Sequence, residues 1–146
     1  MTTATPPANG QVIALAHYAS RAVLETVLAR TGTTFHQSVT LNAVSSQGGT
    51  VEHDWLIGRL TGALKIEESA AREIVDEMTQ LKLLEESAPG QASFTDSGRE
   101  LFERIQPGIR EVAGRLYAGI SAEDLATAGR VLTLVTERAN AELADV

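Results

Sequence analysis

The sequence contains no cysteine. That excludes a disulfide framework, a thiolate zinc site, an iron–sulfur cluster and a thiol nucleophile. Aromatic residues are scarce, at 4% of 146 residues, and Trp55 is the single tryptophan. A β-sandwich draws on aromatic and β-branched side chains, so a core made of Leu, Ala, Val and Ile favours helices. Positive charge is also short. There are 12 basic and 19 acidic residues, for a net charge of −7, and Lys65 and Lys82 are the only lysines. This balance argues against a protein that coats nucleic acid through a global field. It leaves room for one that reads DNA with a local patch. No apolar run approaches the roughly 18 uninterrupted residues of a membrane span. No charged segment followed by an apolar one opens the chain as a signal peptide would. A cytoplasmic protein without a membrane partner is expected.

Enzyme signatures are missing as well. There is no G-x-S-x-G, no Walker loop and no G-x-G-x-x-G. The carboxylates lie at helix-surface spacing, the pattern of a solvated face. His17, His36 and His53 lack the H-E-x-x-H spacing of a zinc site. Neither a catalytic residue, a metal nor a cofactor is expected, and the chain does not read as an enzyme.

The apolar content of 43% and charged content of 21% are those of an ordinary globular protein. Residues 1–10 read as a disordered arm, and 11–146 as one domain. The first helix, 11–30, is apolar on several sides, and Thr31-Gly32-Thr33 ends it. A second helix begins at Thr34, which forms a capping-box pair with Gln37. A third follows Thr50 and carries Val51, Trp55, Leu56, Leu60 and Leu64. A fourth runs from about Ser69, with Ala71, Ile74, Val75, Met78 and Leu81 as its buried stripe. Leu83–Glu86 and Ala92–Phe94 change period and flank the Pro89-Gly90 turn, as a hairpin does. Thr95 or Ser97 caps a long helix, which Pro107-Gly108 should bend. Ser121 and Asp124 open the last helix. The order predicts a mainly α fold: a winged helix-turn-helix with N- and C-terminal helices and a short two-stranded wing. Residues 34–95 form its lobe, and 11–30 and 96–146 its end helices.

Three stretches resemble the MarR family of bacterial transcriptional regulators. Residues 60–78, L-T-G-A-L-K-I-E-E-S-A-A-R-E-I-V-D-E-M, are similar to the family's turn and recognition helix. Residues 93–101, S-F-T-D-S-G-R-E-L, resemble its Leu-Thr-x-x-Gly, which closes the wing. Residues 121–138, S-A-E-D-L-A-T-A-G-R-V-L-T-L-V-T-E-R, resemble the C-terminal helix of actinobacterial members. The resemblance implies a two-fold homodimer on double-stranded DNA, with half-sites roughly 34–36 Å apart. The residues agree, because the end helices carry more apolar surface than one small monomer covers. Val12, Leu15, Val23, Leu116, Leu132, Val135 and Leu143 are the expected interface.

The expected DNA-facing set is Lys65, Ser69, Ala70, Arg72 and Glu73 from the helix-turn-helix, with Gln91 and Ser93 from the wing. Arg72 has the chemistry to read guanine or to bind phosphate. Yet Glu73, Glu77 and Glu86 stand where the family often has Arg, and Lys82 replaces the usual Gly of a turn. The family's Asp-x-Arg is absent from the wing, so no arginine there enters a minor groove. From Val51 to Thr95 there are nine acidic and four basic residues.

The resemblance also implies a small-molecule effector, for which Tyr18, Phe35, His36 and Trp55 are the candidate contacts; the same four are equally suited to filling core. The reading is a ligand-responsive DNA-binding repressor acting as a homodimer. Its rival is a dimeric ligand-binding or protein-interaction module on the same fold, with DNA binding weakened or lost.

Overall fold

The computed structural model describes residues 5–146. Met1–Ala4, the first part of the expected arm, lie outside the described residues. The chain divides into two compact units, one ending at Val112 and the other running from Ala113 to Val146.

The first unit opens with α1 (Gly10–Ala29), capped by the Asn9 side chain, which accepts from the Val12 N–H at 2.9 Å. Gly32, at φ +68°, turns the chain out of the helix. The Thr33 N–H then donates back to the Leu28 carbonyl. The predicted capping box opens α2 (Phe35–Ser46): the Gln37 N–H donates to Thr34 Oγ1, and the Thr34 N–H to Gln37 Oε1. A three-residue strand, β1 (Thr50–Glu52), precedes α3 (His53–Leu64), so the third helix starts later than the sequence reading places it. Then come α4 (Glu68–Gln80), β2 (Leu84–Glu85), β3 (Gln91–Phe94) and α5 (Asp96–Leu116).

The wing therefore has three strands where two were expected. The order is β1-β3-β2, antiparallel throughout, with Val51 opposite Ala92 and Leu84 opposite Phe94. Thr50-Val51-Glu52 alternates exposed, buried, exposed. Three residues are too few for that period to stand out against the helix that follows.

One apolar cluster holds this unit together. Leu28 of α1, Leu41 and Val44 of α2, Leu56 and Leu60 of α3, Ala71, Val75 and Met78 of α4, and Leu84 of β2 are all but fully buried. The α4 stripe is as its spacing predicts, save that Leu81 is 53% exposed. Gln80 is the last residue of the helix and Leu81 is its C-cap. Two residues flanking α4 adopt a left-handed backbone without being glycine: Lys65 at φ +57° and Lys82 at φ +60°. Both are strained by on the order of 1 kcal/mol relative to glycine.

The segment from Thr95 to Gly98 fastens α5 to the wing. Thr95 Oγ1 donates to the Lys82 carbonyl and accepts from the Gly98 N–H at 3.0 Å. Thr95, not Ser97, is thus the cap. A Cβ on Gly98 would collide with the Leu83 carbonyl oxygen. Gly98→Ala is accordingly expected to destabilise the lobe by about 2–3 kcal/mol, as overpacking against rigid backbone does. Urea unfolding followed by circular dichroism measures it, and an unchanged midpoint would show that the backbone yields freely. Pro107 lies within α5, and the next residue lets α5 approach α1, since a Cβ on Gly108 would sit 2.7 Å from Val27 Cγ1.

By length and composition α1 is the one described helix able to cross a membrane, at a mean hydropathy of 1.3. It also carries the Arg21–Glu25 ion pair and inserts Val27 and Leu28 into the protein core.

The second unit holds the end of α5 and all of α6 (Ala122–Ala144). Ser121 Oγ caps α6 by accepting from the Asp124 N–H at 3.0 Å. None of the described residues of α6 is buried.

Candidate functional site

The helix-turn-helix is α3, the left-handed Lys65 and α4. With Ala71, Ile74, Val75 and Met78 turned into the core, α4 presents Ser69, Arg72, Glu73 and Asp76 to solvent, and Ala70 lies half-buried. Arg72 is the only basic residue on α4. Its Nη2 donates to Glu68 Oε1 at 2.7 Å, one turn earlier. This bond and the charge of Glu68 raise the guanidinium pKa above its usual value, with lesser help from Asp54 and Asp76. An open cavity of about 490 Å³ brings Lys65 and Arg72 together with Asp54, Glu67 and Glu68.

The N-terminal end of α4 is unusual for a phosphate-binding helix. Glu67 is its N-cap and makes no side-chain cap bond, and Glu68 follows in the first turn. An anion is ordinarily welcome at such an end, where free N–H groups carry positive potential. Here two carboxylates already stand there. Glu77 is used differently: it accepts from Nε2 of the buried Gln37 at 3.3 Å and so ties α4 to α2.

Between α4 and the wing lies a smaller groove of about 240 Å³, lined by His53, Asp76, Thr79, Glu85, Glu86 and Gln91, among others. Gln91 Nε2 reaches Glu52 Oε1 at 3.3 Å. Ser93 is buried in the central strand, and its hydroxyl meets those of Thr50 at 2.9 Å and Ser87 at 2.6 Å. Buried there, the Ser93 hydroxyl braces the wing. The missing signal was β1: Thr50 of that strand, with Ser87, covers Ser93 on the face of β3 opposite the core residues Ala92 and Phe94.

The effector candidates separate. Phe35 and His36 line a cavity of about 350 Å³ with Arg21, Glu25, Ala29, Thr33 and Thr34. The Arg21 guanidinium lies 4.0 Å above the Phe35 ring, and the Phe35 and His36 rings are 6.0 Å apart. Tyr18 is 66% exposed beside His17, and Trp55 is exposed on α3; neither lines this cavity. Sequence reasoning overlooked Arg21. The available signal was its position on α1 one turn before Glu25, a pair that fixes the guanidinium.

Of the expected interface residues, Val12 and Val23 are half-buried, while Leu15, Leu116, Leu132, Val135 and Leu143 are exposed. No group of three or more metal-ligating side chains is assembled among the described residues.

No protein-family model matches the sequence, and no curated protein matches it. Solved structures do match the fold, which is the winged helix of the MarR family. The reduced form of MarR from E. coli superposes with a TM-score of 0.68 at 17% identity, covering 90% of this chain and 95% of that one. CouR from Rhodococcus jostii, bound to p-coumaroyl-CoA, gives 0.73 at 16% identity over 87% and 90% of the two chains. A MarR family protein of Mycobacterium tuberculosis in complex with DNA gives 0.66 at 18% identity over 89% and 98%.

Proposed function

We propose that the chain is a MarR-type transcriptional regulator of the actinobacterial kind, a cytoplasmic homodimer that represses by binding duplex DNA. One observation carries this reading: a well-packed helix-turn-helix presents a solvent-facing α4 whose single arginine shares a groove with Lys65. The likeness to a protein solved on DNA supports it. Two copies of α4 enter successive major grooves, and α1, the end of α5 and the exposed apolar face of α6 each supply part of the interface with the partner copy.

The effector is a small aromatic acid held by the Arg21 cavity. Phe35 supplies a ring face, and Arg21 and His36 supply donors for a carboxylate. Such a ligand relieves repression only if it binds one spacing of the two α4 helices better than the other.

Selection of bound fragments from genomic DNA at low salt tests the function directly. A salt titration on a selected duplex then tests the surface. Two or three cations per subunit correspond to a slope of log K against log salt of roughly −4 to −5. Glu73→Arg and Glu86→Arg are expected to tighten binding to any duplex and to steepen the slope. A slope near −10, or variants that bind no tighter, would place the DNA surface outside Val51–Thr95.

A second reading is favoured by the acidic lobe and by the engagement of Arg72 with Glu68: a dimeric ligand-binding or protein-interaction module without operator binding. Failure to select any duplex at low salt would establish it over the first.

A further inference from the structure

We infer that Glu68 is a specificity-determining residue: it holds the Arg72 fork for a base edge and keeps it off the phosphate backbone. This rests on the reading of α4 as the DNA-reading helix. The pair has the favourable sense, with Glu one turn before Arg. At 2.7 Å it is shorter than Arg21–Glu25 at 2.9 Å and Glu100–Arg104 at 3.5 Å. It engages only Nη2, through one bond.

A guanidinium has five N–H donors in a rigid fork. One hydrogen of Nη2 on Glu68 leaves the other, and both on Nη1, for a partner. Those side-by-side donors are what the O6 and N7 acceptors of guanine require. The Arg72 side chain keeps 47% of its surface open, so the pair does not bury the fork. Holding one edge removes rotamer freedom before DNA arrives, and less is lost on binding.

A phosphate is treated the opposite way. It asks only for positive charge, and the Glu68 carboxylate both cancels that charge and repels the phosphate. Glu67 at the cap and Asp54 across the same groove add to the repulsion. The arrangement weakens every duplex contact that carries no sequence information and leaves the one that does. Specificity is a difference between two affinities, and here it is widened by lowering the unwanted one.

The test uses the full chain, the duplex selected by the parent, the same duplex with its half-site G·C pairs changed to A·T, and a random duplex. Glu68→Gln keeps the size of the side chain and removes its charge. It is expected to bind the random duplex about tenfold tighter and to lose about tenfold or more in the ratio of selected to random binding. Glu68→Asp keeps the charge but falls short of Arg72. It should lose the ratio without gaining on random duplex. An unchanged ratio in both variants would overturn the proposal, as would a loss in Glu68→Gln with no gain on random duplex. If the parent itself prefers no duplex, the reading of α4 fails and this inference with it, a result visible before any variant is made.

Discussion

Leu132→Asp is expected to leave the protein monomeric at micromolar concentration. Leu132 is 43% exposed on a helix that buries none of its described residues, in company with the exposed Leu125, Val135 and Leu143. In the proposed dimer this face meets the partner, and a two-fold interface carries the substitution twice. Each aspartate would be an unpaired charge withdrawn from water. A loss of association of more than about 100-fold follows, equivalent to about 3 kcal/mol. Sedimentation equilibrium reads the mass directly. The lobe should remain folded, because its core draws on residues before Val112. A monomeric parent would remove the premise, and a dimeric variant would move the interface elsewhere.

Arg72→Ala is the second large effect. The side chain is the single basic group of α4, so no neighbour on the helix replaces it. One bidentate contact to guanine contributes about 1–3 kcal/mol of discrimination, and the dimer makes two. Specific binding should therefore fall by about 2–6 kcal/mol in all, below detection for a weak parent. Binding to random duplex should change far less, since Glu68 already offsets the charge of Arg72. Fluorescence anisotropy on a selected and a random duplex separates the two. Equal loss on both would make Arg72 a phosphate contact, and no loss on either would exclude it from the interface.

Much of the lobe was legible in the sequence where one short-range rule decides the structure. Thr34 and Gln37 satisfy each other within one turn, so their spacing alone marks the start of α2. The apolar stripe of α4 spans enough turns for its period to show. What was not legible depends on partners distant in sequence. β1 exists because Gln91–Phe94 lies beside it, about forty residues on, and without β1 nothing reveals that Thr50 covers Ser93. Gly98 can be recognised as part of a motif, but its reason is the Leu83 carbonyl. Lys82 was visible as a departure from glycine, and the positive φ of its backbone shows what the departure costs. The Arg72–Glu68 pair lies at a spacing any reader can count. Its consequence for recognition appears only once α4 is seen to face solvent.

The exposed length of α6 makes the supply of working regulator a question of mass action. Most of a helix's stability in a protein comes from packing, and α6 buries none of its described residues within its own chain. In the proposed dimer, ordering of α6 and pairing of chains become one second-order event. When the chain is scarce, the amount of two-headed protein grows with the square of its concentration; when it is abundant, growth is linear. A single lobe reaches one half-site and gains nothing from the second, whereas a dimer bound at one half-site meets the other at high effective concentration. Genes under such a protein would respond to its abundance with a threshold, even with no effector present.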